Sequence, residues 1–126
     1  MAKNHNTGKD TITDFVSLHN HTDFSILVSL ITPKEFFNKA KELGKKAIVV
    51  TDHGSLAGAW DALKASRAAG VKLIIGCEMY FLNDAKKTDE KFRHVILLAK
   101  NAAGYKNLST LNKKGFDNSI VFAKRY

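Results

Sequence analysis

The chain has 126 residues, enough for one domain with a hydrophobic core, and 44% of them are apolar, which excludes a disordered composition. No apolar run approaches the ~20 residues of a membrane span, and the N-terminus lacks the apolar stretch of a signal peptide, so we expect a cytoplasmic protein with no membrane partner. The formal net charge is +8, and residues 100–126 carry six cationic residues and one aspartate. Such a basic end suits either DNA, as a polyanionic partner, or a solvated surface.

Residues 1–12 form a predicted flexible tail, and residues 13–126 form the predicted domain. The domain begins with the apolar stretch FVSL, which predicts a strand over 15–19. In a strand, residues i and i+2 point to the same face, so His19 and His21 would lie side by side. Two neutral imidazoles placed in this way suit a shared metal ion, although a polar loop that holds two histidines explains the spacing equally well.

The stretch TPKEFFNKAKEL predicts a helix over 32–43. Thr32 is a favourable N-cap, Glu35 completes a capping box, and Gly44 occupies the position of a C-terminal glycine cap. Leu43 belongs to the predicted apolar face of this helix.

Three strands and two helices follow in alternation. Strands are predicted over 46–51, 72–82 and 93–98, and helices over 56–69, capped by Ser55 with Trp60 facing inward, and over 102–113, ended by Gly115. Apolar strands that alternate with helices predict an α/β fold with a mainly parallel sheet, either open or curled into a barrel. Cys77 is the single cysteine, and its apolar surroundings in the sequence predict a buried thiol.

The polar residues that carry chemistry fall at strand ends, where the sites of α/β folds gather. Asp52 and His53 follow the second strand, Glu78 lies late in the third, and His94 opens the fourth. Each alone has an ordinary alternative, such as a turn, a helix cap, an ion pair or a core histidine. Together with the first two histidines they form a donor set typical of zinc or manganese, in which Glu78 can bridge two ions.

Three ordered stretches, HNHTDFS, VVTDHGSLAGAWDALKASRAAGVKLIIGCEMYF and HVILLAKNAAGYKNLSTL, resemble the start of the PHP (polymerase and histidinol phosphatase) domain. The resemblance is to the form found at the N-terminus of bacterial DNA polymerase III alpha subunits. It implies a distorted TIM-like βα-barrel with mostly parallel strands, flanking helices and divalent metals in its mouth. This chain would supply the N-terminal part of that barrel.

Carried over by position, the resemblance implies a ligand set for zinc or manganese, with Asp52 as the candidate catalytic residue. The implied ligands are His19, His21, His53, Glu78 and His94. Val28 stands where polymerase relatives have a liganding aspartate, and the ligands from the second half of the family's domain lie beyond this chain. The implied site is therefore incomplete.

The implied function is that of a PHP-domain fragment of a replicative polymerase alpha subunit, with a site of the metal-dependent phosphoesterase or 3′–5′ exonuclease type. We expect the isolated chain to be inactive and to pair with a second chain or a second copy that covers the open barrel. A non-catalytic docking module and a stand-alone phosphomonoesterase are the alternatives. Metal content separates the first two readings, and activity on single-stranded DNA against a phosphomonoester separates the first from the third.

Overall fold

The computed structural model describes residues 15–81 and 93–117. The predicted tail over 1–12 lies outside them. Helices and strands alternate in the order α1 (Pro33–Glu42), β1 (Ala47–Val50), α2 (Ala59–Ala69), β2 (Lys72–Phe81), β3 (Arg93–Leu98) and α3 (Ala102–Asp117). No helix in the described ranges is long and apolar enough to cross a bilayer.

Helix α1 begins where the capping box was predicted. The Thr32 hydroxyl accepts the N–H of Glu35 at 3.3 Å, and the Glu35 carboxylate accepts the N–H of Thr32 at 3.0 Å. The hydroxyl and then the backbone N–H of Thr32 lower the pKa of Glu35 by hydrogen bonding to its ionised form. Leu43 caps the C-terminus, and Gly44 follows with a φ of 66°. The local sequence therefore sets both ends of α1.

The ends of the other two helices differ in part from the prediction. Gly70 ends α2 in the left-handed conformation, as expected. The predicted cap at Ser55 is wrong, because α2 begins after Gly58, and the Ser55 hydroxyl accepts the N–H of Ala57 instead. The predicted end of α3 at Gly115 is also wrong, since the helix continues to Asp117.

The three strands form one sheet in the order β1-β2-β3. β1 pairs with β2 in parallel, and β2 pairs with β3 antiparallel, so the predicted mostly parallel sheet is wrong for the described strands. The stretch 82–92 is shorter than the dozen or so residues that a helical crossover requires, which leaves the direct antiparallel return. The mixed α/β class with flanking helices is confirmed.

The predicted strand over 15–19 is also wrong, because these residues form no ladder. The segment contacts the end of β1 at Asn20, whose carbonyl accepts the N–H of Thr51 at 2.9 Å. The Asn20 side chain donates to the carbonyls of Ser17 and Val49, at 2.9 and 3.0 Å. An asparagine side chain that bonds to nearby backbone competes with regular pairing, which explains the irregular path.

The hydrophobic core lies between one face of the sheet and helices α1 and α2. Its buried members are Phe37, Ala40, Ile48, Val50, Ala62, Ala69 and Val71, with Leu73 packed against them. Leu43 and Trp60, which were expected to face inward, are 55% and 64% exposed. Side chains alternate along a strand, so Cys77 lies on the same face of β2 as Leu73, whereas Glu78 points to the opposite face. The sheet therefore has a helix-covered face and a face that carries Glu78.

The strands approach one another closely at Gly76. A Cβ there would lie 2.6 Å from Leu98 Cδ2, 2.7 Å from the Leu97 carbonyl oxygen and 2.8 Å from Thr51 Cγ2. At Gly115 in α3, a Cβ would meet no heavy atom within 4 Å. The two glycines therefore form a matched pair for testing the packing.

We expect Gly76→Ala to lower the free energy of unfolding by about 1–3 kcal/mol through overpacking. Gly115→Ala is expected to leave it unchanged or raise it by about 0.5–1 kcal/mol, because alanine favours the helix. Urea denaturation followed by circular dichroism measures both. Equal stability of the two variants would contradict the close approach of the strands.

Candidate metal centre

Beyond Val50, where β1 ends, the chain continues beside β2, and His53 lies next to Glu78. The N–H of Glu78 donates to the carbonyl of Asp52 at 3.1 Å, and the N–H of Gly54 donates to the carbonyl of Glu78 at 2.8 Å. These bonds form a parallel bridge between His53 and Glu78. Asn112 of α3 donates its side-chain amide to the carbonyl of Gly54 at 3.0 Å, so α3 supports the same loop.

His94 reaches the site from β3. It is the direct antiparallel partner of Tyr80, which is two residues from Glu78 on β2. Directly paired residues project to the same face, so His94, Tyr80 and Glu78 all point away from the helix-covered face. The antiparallel pairing of β3 with β2 thereby adds a fourth histidine to the site.

The carboxylate of Asp52 holds the two-histidine segment in place. It accepts the N–H of Thr22 at 2.6 Å, the hydroxyl of Thr22 at 2.8 Å and the hydroxyl of Ser25 at 2.8 Å. All three residues are buried. Because its oxygens accept hydrogen bonds from these donors, the Asp52 side chain holds Thr22 and Ser25, and with them the two-histidine segment, in place.

The first ligand group consists of His19, His21 and Glu78. The Nε2 atoms of the two histidines are 3.0 Å apart, and they lie 3.3 and 3.1 Å from Glu78 Oε2, respectively. Zinc holds nitrogen and oxygen ligands at about 2.0–2.1 Å, which puts tetrahedral ligand atoms about 3.3 Å apart. The three donor atoms therefore have the spacing of a zinc ligand set.

The second ligand group consists of His53, Glu78 and His94. His94 Nδ1 is 3.0 Å from Glu78 Oε1, and His53 Nε2 is 3.9 Å from Glu78 Oε2. The Tyr80 hydroxyl lies 2.7 Å from His53 Nδ1. Glu78 belongs to both groups and offers different oxygens to His21 and His94, an arrangement that suits a carboxylate bridging two cations.

Glu78 is the buried carboxylate that the histidines surround. Its side chain is 5% exposed, and its ion-pair partners among residues 15–81 and 93–117 are all imidazoles. A buried carboxylate is costly unless an opposite charge compensates it. The partially exposed rings of His19 and His94 border this carboxylate, so a cation from solvent can reach it.

The structure thus brings together all five residues named as metal ligands. Asp52 contacts the segment that carries His19 and His21, through Thr22 and Ser25. That the five bind a metal stays a prediction. Val28, at the expected position of a ligand, is an apolar side chain that is 55% exposed. Sequence reasoning missed Ser25, Thr22 and Tyr80. Ser25 and Thr22 carry hydroxyls within the same motif as the two histidines, which was the available signal.

The fold and the site together define an α/β domain with a histidine-rich centre at its strand ends. Solved structures that share this fold include the following two. A candidate metal-dependent phosphoesterase from Bifidobacterium adolescentis superposes with a TM-score of 0.57 at 23% identity, covering 75% of this chain and 32% of that one. An amidohydrolase from Chromobacterium violaceum gives a TM-score of 0.56 at 21% identity, covering 80% and 34%.

Residues 17–126 match the PHP domain, and the chain belongs to the PHP domain family. Its curated relatives include the DNA polymerase III subunit alpha of Aquifex aeolicus, 39% identical over 123 residues, and that of Helicobacter pylori (strain ATCC 700392 / 26695), 41% identical over 115 residues. These alignments cover 89% and 88% of this chain but 11% and 9% of the relatives. The chain therefore spans about a tenth of the length of these relatives.

Cys77 lies next to this centre on the opposite face of β2. Its side chain is fully buried, and its thiol donates to the carbonyl of Asp52 at 3.4 Å. Burial is the main cause that raises the pKa of the Cys77 thiol, from 9.0 to about 11. The prediction of a buried thiol is confirmed.

We expect Cys77 to resist iodoacetamide at pH 9 in the native protein and to react readily in urea, as measured by mass spectrometry. The thiolate is the nucleophile, and the folded state suppresses both its formation and its access. Because the folded pKa is raised, the stability that the protonated thiol contributes is complete below pH 9 and falls as the pH rises towards 11. Similar alkylation rates in the two states would refute this placement.

Proposed function

We propose that this chain is part of the PHP domain of a DNA polymerase III alpha subunit and that it serves DNA replication. The support is the identity of 35–41% to such subunits over most of the chain. We further propose that residues 13–126 form the N-terminal part of the domain and that the protein acts in the cytoplasm.

The chemistry that we propose is metal-dependent phosphoester hydrolysis of the 3′–5′ exonuclease type, at a site where Val28 leaves an expected ligand position unfilled. The observation that carries it is the convergence of four imidazoles on the buried carboxylate of Glu78. Zinc or manganese suits these donors, and either would supply Lewis-acid activation of water and charge neutralisation at a phosphate.

The chain's own residues would have distinct roles at such a site. His19 and His21 would hold one cation with Glu78, and His53 and His94 would hold a second, also with Glu78. Asp52 would fix the position of the histidine segment through its three hydrogen bonds. We thus assign Asp52 a positioning role instead of the catalytic role that the resemblance implies.

We also propose that the sheet is part of a βα-barrel. In the described part of the chain, β1 and β3 each pair on one side only. Open edges of this kind favour pairing with further strands, supplied by a second chain or by a second copy of this one. DNA is the proposed ligand of the assembled domain, with the exposed lysines of α3 available for phosphate contacts; these are Lys106, Lys113 and Lys114.

A second candidate function is a non-catalytic docking module. The apolar Val28 favours it, because this residue offers no ligand atom where relatives are expected to have one. The sharing of Glu78 between both ligand groups favours it as well, since zinc normally takes about four ligands. Metal binding by the purified chain discriminates between the two functions.

We expect the chain to bind zinc in isothermal titration calorimetry and Val28→Asp to strengthen binding by a factor on the order of ten, by adding a carboxylate ligand. Ile26→Asp is the matched control, because it adds the same charge to the same loop at a side chain that is 81% exposed. Equal gains in both variants would indicate a general charge effect and contradict a ligand position at 28.

We expect the isolated chain to show little or no nuclease activity on labelled single-stranded DNA with zinc or manganese. Five ligand residues shared between two cations leave each cation loosely placed, and ångström-scale misplacement costs about a hundredfold in rate. Val28→Asp should not restore activity. Robust degradation that disappears in His19→Ala would overturn this expectation.

A further inference from the structure

The hydroxyl of Ser25 lies between three polar groups of the candidate centre. It is 2.9 Å from the backbone nitrogen of His53, 2.8 Å from Asp52 Oδ1 and 3.1 Å from His21 Nδ1. Ser25 is only 2% exposed. A hydroxyl has one hydrogen and two lone pairs, so three neighbours use its full hydrogen-bonding capacity.

The chemistry of two neighbours fixes the role of the third. The backbone N–H of His53 can only donate, and it occupies one lone pair of the Ser25 oxygen. The carboxylate of Asp52 can only accept, so it takes the hydroxyl hydrogen. A single lone pair then remains for His21, and Nδ1 of that ring must carry a hydrogen in order to use it.

The opposite assignment is unfavourable. If Ser25 donated its hydrogen to His21 Nδ1, the Ser25 oxygen would face Asp52 Oδ1 at 2.8 Å with no hydrogen between them. The two donors of Thr22 hold the Asp52 carboxylate in place, which limits its movement away from Ser25. The same contacts that anchor Asp52 thus set the direction of the Ser25 hydroxyl.

We infer that Ser25 is a positioning residue that holds the neutral ring of His21 as the Nδ1–H tautomer. The unprotonated Nε2 then faces His19 Nε2 at 3.0 Å and Glu78 Oε2 at 3.1 Å. A lone pair and a carboxylate oxygen at this distance are satisfied by a cation between them. The purpose of the arrangement rests on the proposed metal centre. In the metal-free chain Glu78 Oε2 favours a hydrogen on Nε2 instead, so the tautomer there measures whether the contacts of Ser25 outweigh that of Glu78.

The tautomer can be read directly by NMR. We would record long-range ¹H–¹⁵N correlation spectra of the metal-free chain with ¹⁵N-labelled histidine, at a pH where the spectrum shows the His21 ring to be neutral, and assign that ring by its loss in His21→Gln. The wild-type ring is expected to show the Nδ1–H pattern. Ser25→Ala is expected to shift it to Nε2–H or to a mixture.

Ser29→Ala is the matched control, because it removes a hydroxyl from the same loop. The Ser29 hydroxyl accepts the N–H of Ile31 at 3.3 Å. It is expected to leave the His21 pattern unchanged. An Nε2–H pattern in the wild type, or an unchanged Nδ1–H pattern in Ser25→Ala, would overturn the inference. The wild-type spectrum alone decides the matter if Ser25→Ala does not fold.

A zinc titration separates this inference from the proposed function. Ser25→Ala is expected to weaken zinc binding about 10–100-fold, the usual loss for a group that orients a ligand, while Ser29→Ala leaves it unchanged. Equal zinc affinity of Ser25→Ala and wild type would overturn the positioning role. If the wild type binds no zinc, the proposed metal centre fails, and the spectra still decide the role of Ser25.

Discussion

The buried carboxylate of Asp52 is the contact on which the geometry of the candidate centre depends. Residues 15–32, which precede α1 in the described part of the chain, form no strand, so they have no ladder to hold them against the sheet. Three donors from Thr22 and Ser25 supply that attachment instead. Hydrogen bonds to a charged acceptor are stronger than neutral ones, and burial strengthens them further. The position of both early histidines therefore depends on Asp52, together with the bonds that Asn20 makes to Thr51 and Val49.

Glu78 imposes the second constraint, which is electrostatic. β2 is the central strand, with a parallel neighbour on one side and an antiparallel neighbour on the other. The Glu78 carboxylate therefore has His53 on the β1 side and His94 on the β3 side, and His19 and His21 approach it from the irregular segment. A buried negative charge is costly unless an opposite charge compensates it, and a divalent cation among these rings would supply that charge.

Much of this architecture follows from local sequence. Apolar periodicity and glycine stops located β1, β2, β3 and most of the helical residues, and the rule that sites gather at strand ends brought out the five histidine and glutamate positions. These signals are local, and they do not depend on what the rest of the chain does.

The parts that sequence reasoning missed depend on tertiary contacts. The strand predicted at 15–19 does not form, because the side chain of Asn20 bonds to the backbone carbonyls of Ser17 and Val49. Helix α2 begins at Ala59 instead of residue 56, and at Gly58, just before it, an added Cβ would meet Phe24 at 2.8 Å and Asp52 at 2.9 Å. The roles of Thr22 and Ser25 emerge only when β1 brings Asp52 beside them.

The alternation of side chains along β2 has a consequence for folding fidelity. Cys77 and Glu78 are adjacent, but one faces the helices and the other faces the histidines. A slip of one residue in the pairing of β2 would exchange the two faces, moving a carboxylate towards the apolar core and a thiol among the imidazoles. The one-residue slip is therefore unfavourable on both faces of β2. The core and the centre each stabilise the strand alignment that the other requires.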